Sequence, residues 1–239
     1  VLLILNKADL ADPESSTAWE KYYRKQGLQV LCMDSRKSNI RKQILALSRE
    51  ACHQKLERDK RRGIRNSKIR VMVAGIPNVG KSTLINSLAG RASARTGDKP
   101  GVTRGQQWIH LGDGLDLLDT PGILWPKFDD PEAGMRLAWI GSVKDDILPT
   151  EELALHLVSF LRKQYGGRLS ERYGINEEYG NGEALADQKI LAAIAESRGC
   201  LLPGNRYDTE KAALLLLDDF RHARLGRITV EQPPEEENE

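Results

Sequence analysis

The chain has 239 residues, of which 40% are hydrophobic and 29% are charged, an ordinary composition that excludes a wholly disordered protein. No stretch reaches the ~18 consecutive apolar residues that a membrane span needs. The three cysteines, Cys32, Cys52 and Cys200, are odd in number and lack ligand spacing. We therefore expect reduced thiols in a cytoplasmic protein, with neither a disulfide framework nor a zinc site.

The formal net charge of +2 conceals an uneven distribution of charge. Residues 1–150 carry 25 Lys/Arg against 17 Asp/Glu, whereas residues 151–239 carry 11 against 17. Residues 36–70 alone hold 13 basic and three acidic side chains. Such a segment is typical of an RNA-facing surface, and a solvated helix followed by a basic linker is the alternative.

The first part of the chain alternates short apolar runs with amphipathic stretches. The apolar runs predict strands over residues 1–5, 28–33 and 69–74, and a hairpin over residues 108–118. The amphipathic stretches predict helices over residues 16–26, 39–62 and 81–88. This alternation indicates an α/β sheet with helices on both faces.

After Pro149 the pattern predicts helices only, which indicates a small helical bundle over residues 150–230. The predicted helices cover residues 151–165, 182–198 and 209–225, with a turn at residues 203–205. Residues 231–239 are acidic and contain proline, so we expect a disordered tail. The expected domains are therefore residues 1–149, residues 150–230 and this tail.

The strongest motif is the run Gly-Ile-Pro-Asn-Val-Gly-Lys-Ser over residues 75–82, which matches the phosphate-loop pattern G-x-x-x-x-G-K-[ST]. It follows a predicted strand and opens a predicted helix, so its backbone N–H groups can point at phosphates. We expect Lys81 to reach the β- and γ-phosphates and Ser82 to bind Mg²⁺. The expected nucleotide-binding residues of this segment are Asn78, Val79, Gly80, Lys81, Ser82 and Thr83.

A second motif, Asn6-Lys7-Ala8-Asp9, indicates which base is bound. In an N-K-x-D element the aspartate accepts hydrogen bonds from the N1–H and N2–H₂ edge of guanine. Adenine has no such donors and would leave the carboxylate unpaired. We therefore expect Asn6, Lys7 and Asp9 to bind the nucleotide, and Ser35, after the second strand, to contact the base from the far side.

A third motif, Asp119-Thr120-Pro121-Gly122, follows the last predicted strand. We expect Asp119 to hold Mg²⁺ through water and the Gly122 N–H to sense the γ-phosphate. Thr103 lies between this motif and the phosphate loop and is expected to close over Mg²⁺ through its hydroxyl. The expected catalytic residues are thus Lys81, Thr103 and Gly122.

The order of these motifs is unusual, because N-K-x-D precedes the phosphate loop instead of following it. In this order, and in the runs over residues 99–108, 119–128 and 226–229, the chain resembles the circularly permuted GTPases of the ribosome biogenesis GTPase A family. The resemblance implies a permuted P-loop GTPase domain with a three-layer, mostly parallel sheet, followed by a small all-α domain. It also implies an enzyme that hydrolyses GTP to GDP during a late step in assembly of the large ribosomal subunit. We expect the protein to be a monomer.

The resemblance implies further that the C-terminal helical domain helps to engage ribosomal RNA. Its exposed basic residues are the candidates for this contact: Lys189, Arg198, Arg206, Arg221 and Arg224.

The resemblance also bears on the hydrolytic step. GTPases of this type with asparagine at the position of Asn78 often use a bound potassium ion, and the same is implied here. Ile123 stands where many GTPases carry a glutamine that orients water, and isoleucine cannot hydrogen-bond to water. We therefore expect slow intrinsic hydrolysis that potassium and ribosomal particles accelerate.

The chain begins at Val1 inside an apolar run. The resemblance implies a helix, a strand and a helix upstream, with that strand lying between the phosphate-loop strand and the first strand seen here. Without it we expect a split sheet and a chain that is unstable alone.

Two alternatives stay open. The protein could be a GTP-gated module that binds RNA or the ribosome, in which hydrolysis only resets the switch. It could also be a GTPase acting on tRNA or on membrane cargo, which the basic segment permits but no membrane-binding helix supports.

Overall fold

The structure, a computed structural model, describes residues 1–64, 67–90, 107–111, 114–120, 130–143, 149–177 and 183–234. Of residues 107, 119, 183 and 184 it describes the backbone only. Internal contacts divide the chain into one unit of Val1–Pro126 with Glu231–Glu239 and a second unit of Lys127–Val230. The functional domain boundary expected at residue 149 stays a prediction.

The strands of the first unit are close to those predicted. They are β1 (Leu2–Leu5), β2 (Gln29–Cys32), β3 (Ile69–Val73), β4 (Gln107–His110) and β5 (Leu115–Asp119). Strands β1 and β2 are parallel, β3 and β5 are parallel, and β4 is antiparallel to β5. The predicted hairpin over residues 108–118 is therefore confirmed as β4 and β5.

These strands form two sheets, β1–β2 and β3–β5–β4, rather than one. Within the described residues β1 and β3 are not paired, which confirms the expected split. The single mostly parallel sheet expected from the resemblance is thus divided, because no described strand pairs with both halves.

Four helices accompany these strands: α1 (Pro13–Lys25), α2 (Ile40–Ala51), α3 (His53–Arg61) and α4 (Lys81–Ala89). Helix α1 begins three residues earlier than predicted, because Asp12 caps it by accepting a bond from the Ser15 N–H at 2.8 Å and Pro13 fits the first turn. The helix predicted over residues 39–62 is divided at Cys52, whose φ of −103° and ψ of 11° interrupt it. The apolar spacing continues through this break and could not reveal it.

Helices α2 and α4 pack on one face of β3–β5–β4 and form the core of this unit. The fully buried side chains there include Ile40, Ile85 and Leu117. On the opposite face Met72 is 64% exposed and Trp108 is 50% exposed. A three-layer fold would have helices on both faces of this sheet. In the part of the chain that the structure describes, helices cover only one face.

The second unit is mainly helical. Its elements are α5 (Pro131–Trp139), α6 (Thr150–Gln164), α7 (Arg168–Tyr173), α8 (Glu183–Ser197), β6 (Leu201–Leu202), β7 (Arg206–Tyr207) and α9 (Thr209–Arg221). The predicted apolar stripes form its interior, with Leu157, Leu161 and Ile194 fully buried.

The sequence did not predict α5, α7 or the β6–β7 hairpin. The hairpin forms where only a turn was expected, because the left-handed Asn205 and Gly204 bring the two short strands together. The expectation of an all-α domain therefore needs correction to a helical unit with one short hairpin.

Residues 231–234 contact α1, where the sequence predicted the start of a disordered tail. The Trp19 Nε1–H donates to the Glu231 carbonyl at 2.9 Å, and Gln232 Nε2 donates to Ser15 Oγ at 2.7 Å. None of the helices in the described part of the chain has the length and apolarity to cross a membrane.

Candidate functional site

The predicted phosphate loop connects the carboxyl end of β3 to the first turn of α4. Asn78 (φ 58°) and Gly80 (φ 92°) both adopt the left-handed conformation. These two residues turn the chain sharply into the helix, so the first backbone N–H groups of α4 lie at the end of the loop. A loop of this form at a helix N-terminus is an anion-binding site.

Lys81 lies within the loop rather than pointing into solvent. Its side-chain ammonium donates to the carbonyl oxygens of Gly75 at 2.9 Å and Ile76 at 2.7 Å. The residue is only 9% exposed. These bonds hold a positive charge inside the curve of the loop, where phosphate oxygens would lie.

The N-K-x-D motif forms a turn directly after β1. Lys7 has a positive φ of 57°, and its carbonyl accepts a bond from the Leu10 N–H at 2.9 Å. The Ala8 N–H donates to the Met33 carbonyl at 3.0 Å. The motif therefore lies beside the segment that follows β2, which contains Ser35.

Asn6 connects three segments that the sequence singled out separately. Its Nδ2 donates to the Val79 carbonyl in the phosphate loop at 2.8 Å. Its Oδ1 accepts from the backbone N–H of Ser35 at 3.1 Å and from the Ser35 hydroxyl at 2.6 Å. Ser35 is only 2% exposed, so these bonds satisfy buried polar groups.

Gly80 also lies against this asparagine. A Cβ built on Gly80 would overlap Asn6 Nδ2. The glycine is therefore needed both for its positive φ and for the contact between the two motifs.

Asp9 forms an ion pair that the sequence analysis did not anticipate. Arg36 Nη2 donates to Asp9 Oδ2 at 2.6 Å, while Arg36 Nε and Nη2 donate to the carboxylate of Asp34 at 2.9 and 3.1 Å. The hydrogen bonds from Arg36 hold the pKa of Asp34 below its ordinary value, and Asp34 in turn raises the pKa of Arg36. The 27 positions between Arg36 and Asp9 leave no sequence signal for this pair.

The start of the Asp119 motif lies at the same sheet edge as the phosphate loop. Asp119 is the register partner of Val73, the last residue of β3. Thr120, which sequence reasoning missed, is 5% exposed and donates through its hydroxyl to the Val73 carbonyl at 2.6 Å. Thr103, Gly122 and the Asp119 side chain lie outside the described residues.

The predicted residues thus fall into three groups. Asn6, Ser35, Val79 and Gly80 are in direct contact, and Asp9 is joined to the segment beside Ser35 through Arg36. Lys7 and Asn78 hold strained backbone turns. Lys81, Ser82 and Thr83 form the first turn of α4.

The oxygen ligands predicted for Mg²⁺ fit that ion by type. A hydroxyl from Ser82 and a carboxylate from Asp119 are the hard donors that Mg²⁺ prefers. The pairing of β3 with β5 brings the segments that carry them to one edge of the sheet.

Three of the basic residues predicted to contact RNA are engaged inside the second unit. Arg221 donates to the carbonyls of Ala138 and Trp139, and Arg224 bonds to Asp218 and Asp219. Arg198 also donates to the Arg172 carbonyl at 3.0 Å. We therefore assign structural contacts to Arg198, Arg221 and Arg224, although Arg198 and Arg224 are exposed, as are Lys189 and Arg206.

The phosphate loop, with two residues in the left-handed conformation, lies at a helix N-terminus, and Asn6 connects the guanine motif to it by a hydrogen bond. Together these features define a P-loop guanine-nucleotide-binding protein. Comparison with known proteins agrees with this class. The family model described as 50S ribosome-binding GTPase matches residues 70–191, and the model described as RsgA GTPase matches residues 1–129.

Individual relatives narrow the assignment. Ribosome biogenesis GTPase A of Priestia megaterium is 44% identical over 99% of this chain and 81% of its own length, and that of Thermotoga maritima is 30% identical over 97% and 76%. Two solved structures of T. maritima YlqF, GDP-bound and GNP-bound, are 26% identical with TM-scores of 0.65 and 0.63, and cover 97% of this chain and 83% and 81% of theirs. The chain belongs to the ribosome biogenesis GTPase A family.

It is therefore a GTPase with a YlqF-like P-loop fold, and its motif order agrees with the circular permutation of that family.

Proposed function

We propose that this protein hydrolyses GTP to drive a late step in assembly of the large ribosomal subunit in the cytoplasm. The observation that carries the proposal is the Asn6 contact, because it joins the guanine motif to the phosphate loop. Two elements that bind opposite ends of GTP thereby become one site. The names of the relatives supply the link to ribosome assembly.

Recognition of the base falls to Asp9, whose carboxylate would accept the two N–H donors of guanine. Asn6 positions this motif against the phosphate loop and also binds Ser35, which would contact the base from the far side. Lys7, with its positive φ, forms the turn that leads from Asn6 to Asp9. An adenine at this place would leave a carboxylate without donors, which disfavours ATP.

The phosphates would be bound by the loop from Asn78 to Thr83. Its backbone N–H groups and the ammonium of Lys81 stabilise the negative charge that develops during phosphoryl transfer. Ser82, Thr103 and Asp119 would hold Mg²⁺, which supplies charge neutralisation at the β- and γ-phosphates. The Gly122 N–H would then bind the γ-phosphate.

The residues present favour slow intrinsic turnover. Ile123 cannot orient water, so the orienting group must come from another segment or from the ribosome. Asn78 offers an amide oxygen for a potassium ion beside the phosphates, which supplies positive charge there.

The partner is inferred from charge as well as from the relatives. One surface of the first unit is strongly basic. It consists of the exposed face of α2 and α3 and of the segment between α3 and β3. Its exposed side chains are Lys42, Arg49, Lys55, Arg58, Lys60, Arg61, Arg62 and Lys68. Such a surface suits the phosphate backbone of ribosomal RNA.

The test is GTP turnover by the full chain, as a monomer, in potassium and in sodium, with purified large or small ribosomal subunits. We expect turnover to rise with potassium and with large subunits. Equal turnover with both subunits would contradict the large-subunit assignment, and equal rates in both cations would contradict the role of Asn78. Lys81→Ala is the control that separates catalysed from background hydrolysis.

A further inference from the structure

The carboxylate that would read guanine already has a partner in this chain. Arg36 Nη2 lies 2.6 Å from Asp9 Oδ2, so the two side chains are in direct contact. The inference drawn below rests on the proposed role of Asp9 in base recognition.

The chemistry of the two partners is closely similar. A guanidinium presents N–H donors in a plane, as the N1–H and N2–H₂ edge of guanine does. Both satisfy a carboxylate by donating to its oxygens. Arg36 and guanine are therefore alternative donors to the same acceptor.

Arg36 is held in reach of Asp9 by a second carboxylate. Asp34 accepts from the backbone N–H of Arg36 at 3.0 Å and from its Nε at 2.9 Å. This anchorage keeps the guanidinium beside Asp9 and lowers the entropy cost of their contact. Because Asp34 also binds Arg36, the guanidinium still has a partner after Arg36 releases Asp9.

We propose that Arg36 competes with guanine for Asp9 and so tunes both nucleotide affinity and base selectivity. Guanine must displace Arg36, which weakens guanine binding. Adenine leaves Arg36 on Asp9, so the penalty of an unpaired carboxylate is reduced. Arg36 thus makes the protein a weaker and less selective guanine binder than Asp9 alone would make it.

The expected effect is modest because the Arg36 side chain is 65% exposed and the Asp9 side chain 25%. Guanine must break this exposed ion pair to reach Asp9, and we expect that cost to weaken guanine binding by a factor of about two to five. Salt screens such a pair, so the factor falls as ionic strength rises.

The experiment measures GDP and ADP affinity by titration calorimetry for the wild-type chain, Arg36→Ala, Asp9→Ala and the double variant. We expect Arg36→Ala to tighten GDP binding about two- to fivefold without tightening ADP binding. The gain should shrink in high NaCl and vanish in the Asp9→Ala background. Arg36→Lys, which keeps the charge and loses the planar fork, should give an intermediate gain.

Arg24→Ala is the matched control, since it removes an exposed arginine of α1 that pairs with the carboxylate of Glu20 at 2.7 Å, and it should leave GDP affinity unchanged. If Asp9→Ala weakens GDP binding but Arg36→Ala leaves it unchanged or weakens it, the competition is overturned and the base-reading role of Asp9 stands. Equal tightening of GDP and ADP also overturns the competition. If Asp9→Ala leaves the preference for GDP over ADP intact, the base-reading role fails and the competition fails with it.

Discussion

The side chain of Asn6 donates a hydrogen bond of 2.8 Å to the carbonyl of Val79, 73 positions further along the chain. This bond closes the distance between the end of β1 and the phosphate loop, although β1 and β3 belong to different sheets. The two motifs are therefore held together by side-chain contact rather than by strand pairing. The integrity of the site should depend on a small number of atoms around Asn6.

Replacing Asn6 tests that dependence. Asn6→Ala removes the bonds to Val79 and Ser35 and leaves the buried Ser35 hydroxyl without its acceptor. We expect a loss of about 1–3 kcal/mol in the free energy of unfolding, measured in urea. Nucleotide affinity should fall about tenfold, since each ~1.4 kcal/mol of lost positioning is a factor of ten.

Asn6→Asp separates the two bonds, because it keeps an acceptor for Ser35 and places an acceptor against the Val79 carbonyl. We expect nucleotide affinity to fall at least as far as in Asn6→Ala. Wild-type affinity in Asn6→Asp would show that the contact with the phosphate loop is dispensable.

Gly80→Ala should disrupt the phosphate loop for two reasons. The residue has a φ of 92°, and its new Cβ would overlap Asn6 Nδ2. We expect nucleotide binding to fall by more than about tenfold, as measured by titration calorimetry, because about 1–3 kcal/mol of strain falls on the loop itself.

Gly27→Ala is the control for this change. Gly27 has a φ of 80° but nothing lies within 4 Å of its Cβ position, so the variant carries the backbone strain without the overlap. It should lose some stability and keep nucleotide affinity. An equal loss of affinity in both variants would mean that the contact with Asn6 is not the cause.

In the second unit, Asp219 joins several elements and should make stability depend on pH. Its carboxylate is 2% exposed and accepts from Arg172, Tyr173 and Arg224. Burial raises the pKa of Asp219, and the hydrogen bonds outweigh that effect, so the pKa lies below its ordinary value. Its contribution is therefore complete above the unfolded pKa of about 4 and is lost as pH falls through the lower folded pKa.

Asp219→Asn should accordingly destabilise the chain at pH 7, by ~3 kcal/mol as for other broken buried pairs. The difference from wild type should shrink as the pH falls below about 4, where the unfolded wild-type carboxylate takes up a proton, and should close once the pH passes the lower folded pKa. Urea denaturation at a series of pH values measures this. Asp218→Asn, whose side chain is 53% exposed, is the control and should change stability little.

The contact between residues 231–234 and α1 gives a prediction about local stability. A chain ending at Val230 loses the bonds from Trp19 and Gln232, whereas a chain ending at Pro234 keeps them. Amide hydrogen exchange in α1 should be faster in the shorter chain, because fewer contacts oppose its opening. Identical exchange in the two chains would show that this contact does not stabilise α1.

Much of the local structure follows from the sequence because it depends on neighbouring residues. The alternation of apolar runs and helical spacing predicted β1 to β5 and the long helices, and the glycines of the phosphate-loop pattern predicted a backbone bend, which the structure shows at Gly80. Local patterns were insufficient at Cys52, where the apolar spacing continues through a break, and at Leu201 and Tyr207, where a two-residue strand is too short to show a period.

The sequence by itself determined which chemical groups this protein brings to a nucleotide, since motif residues are read from their order and spacing. Only the tertiary structure decided which of those groups meet. The contact of Asn6 with Val79 and that of Asp9 with Arg36 join residues far apart in the chain, and such contacts depend on how the sheets and loops pack. The spacing of residues along the chain does not determine those distances. They depend on how helices and strands pack when many apolar side chains are buried together.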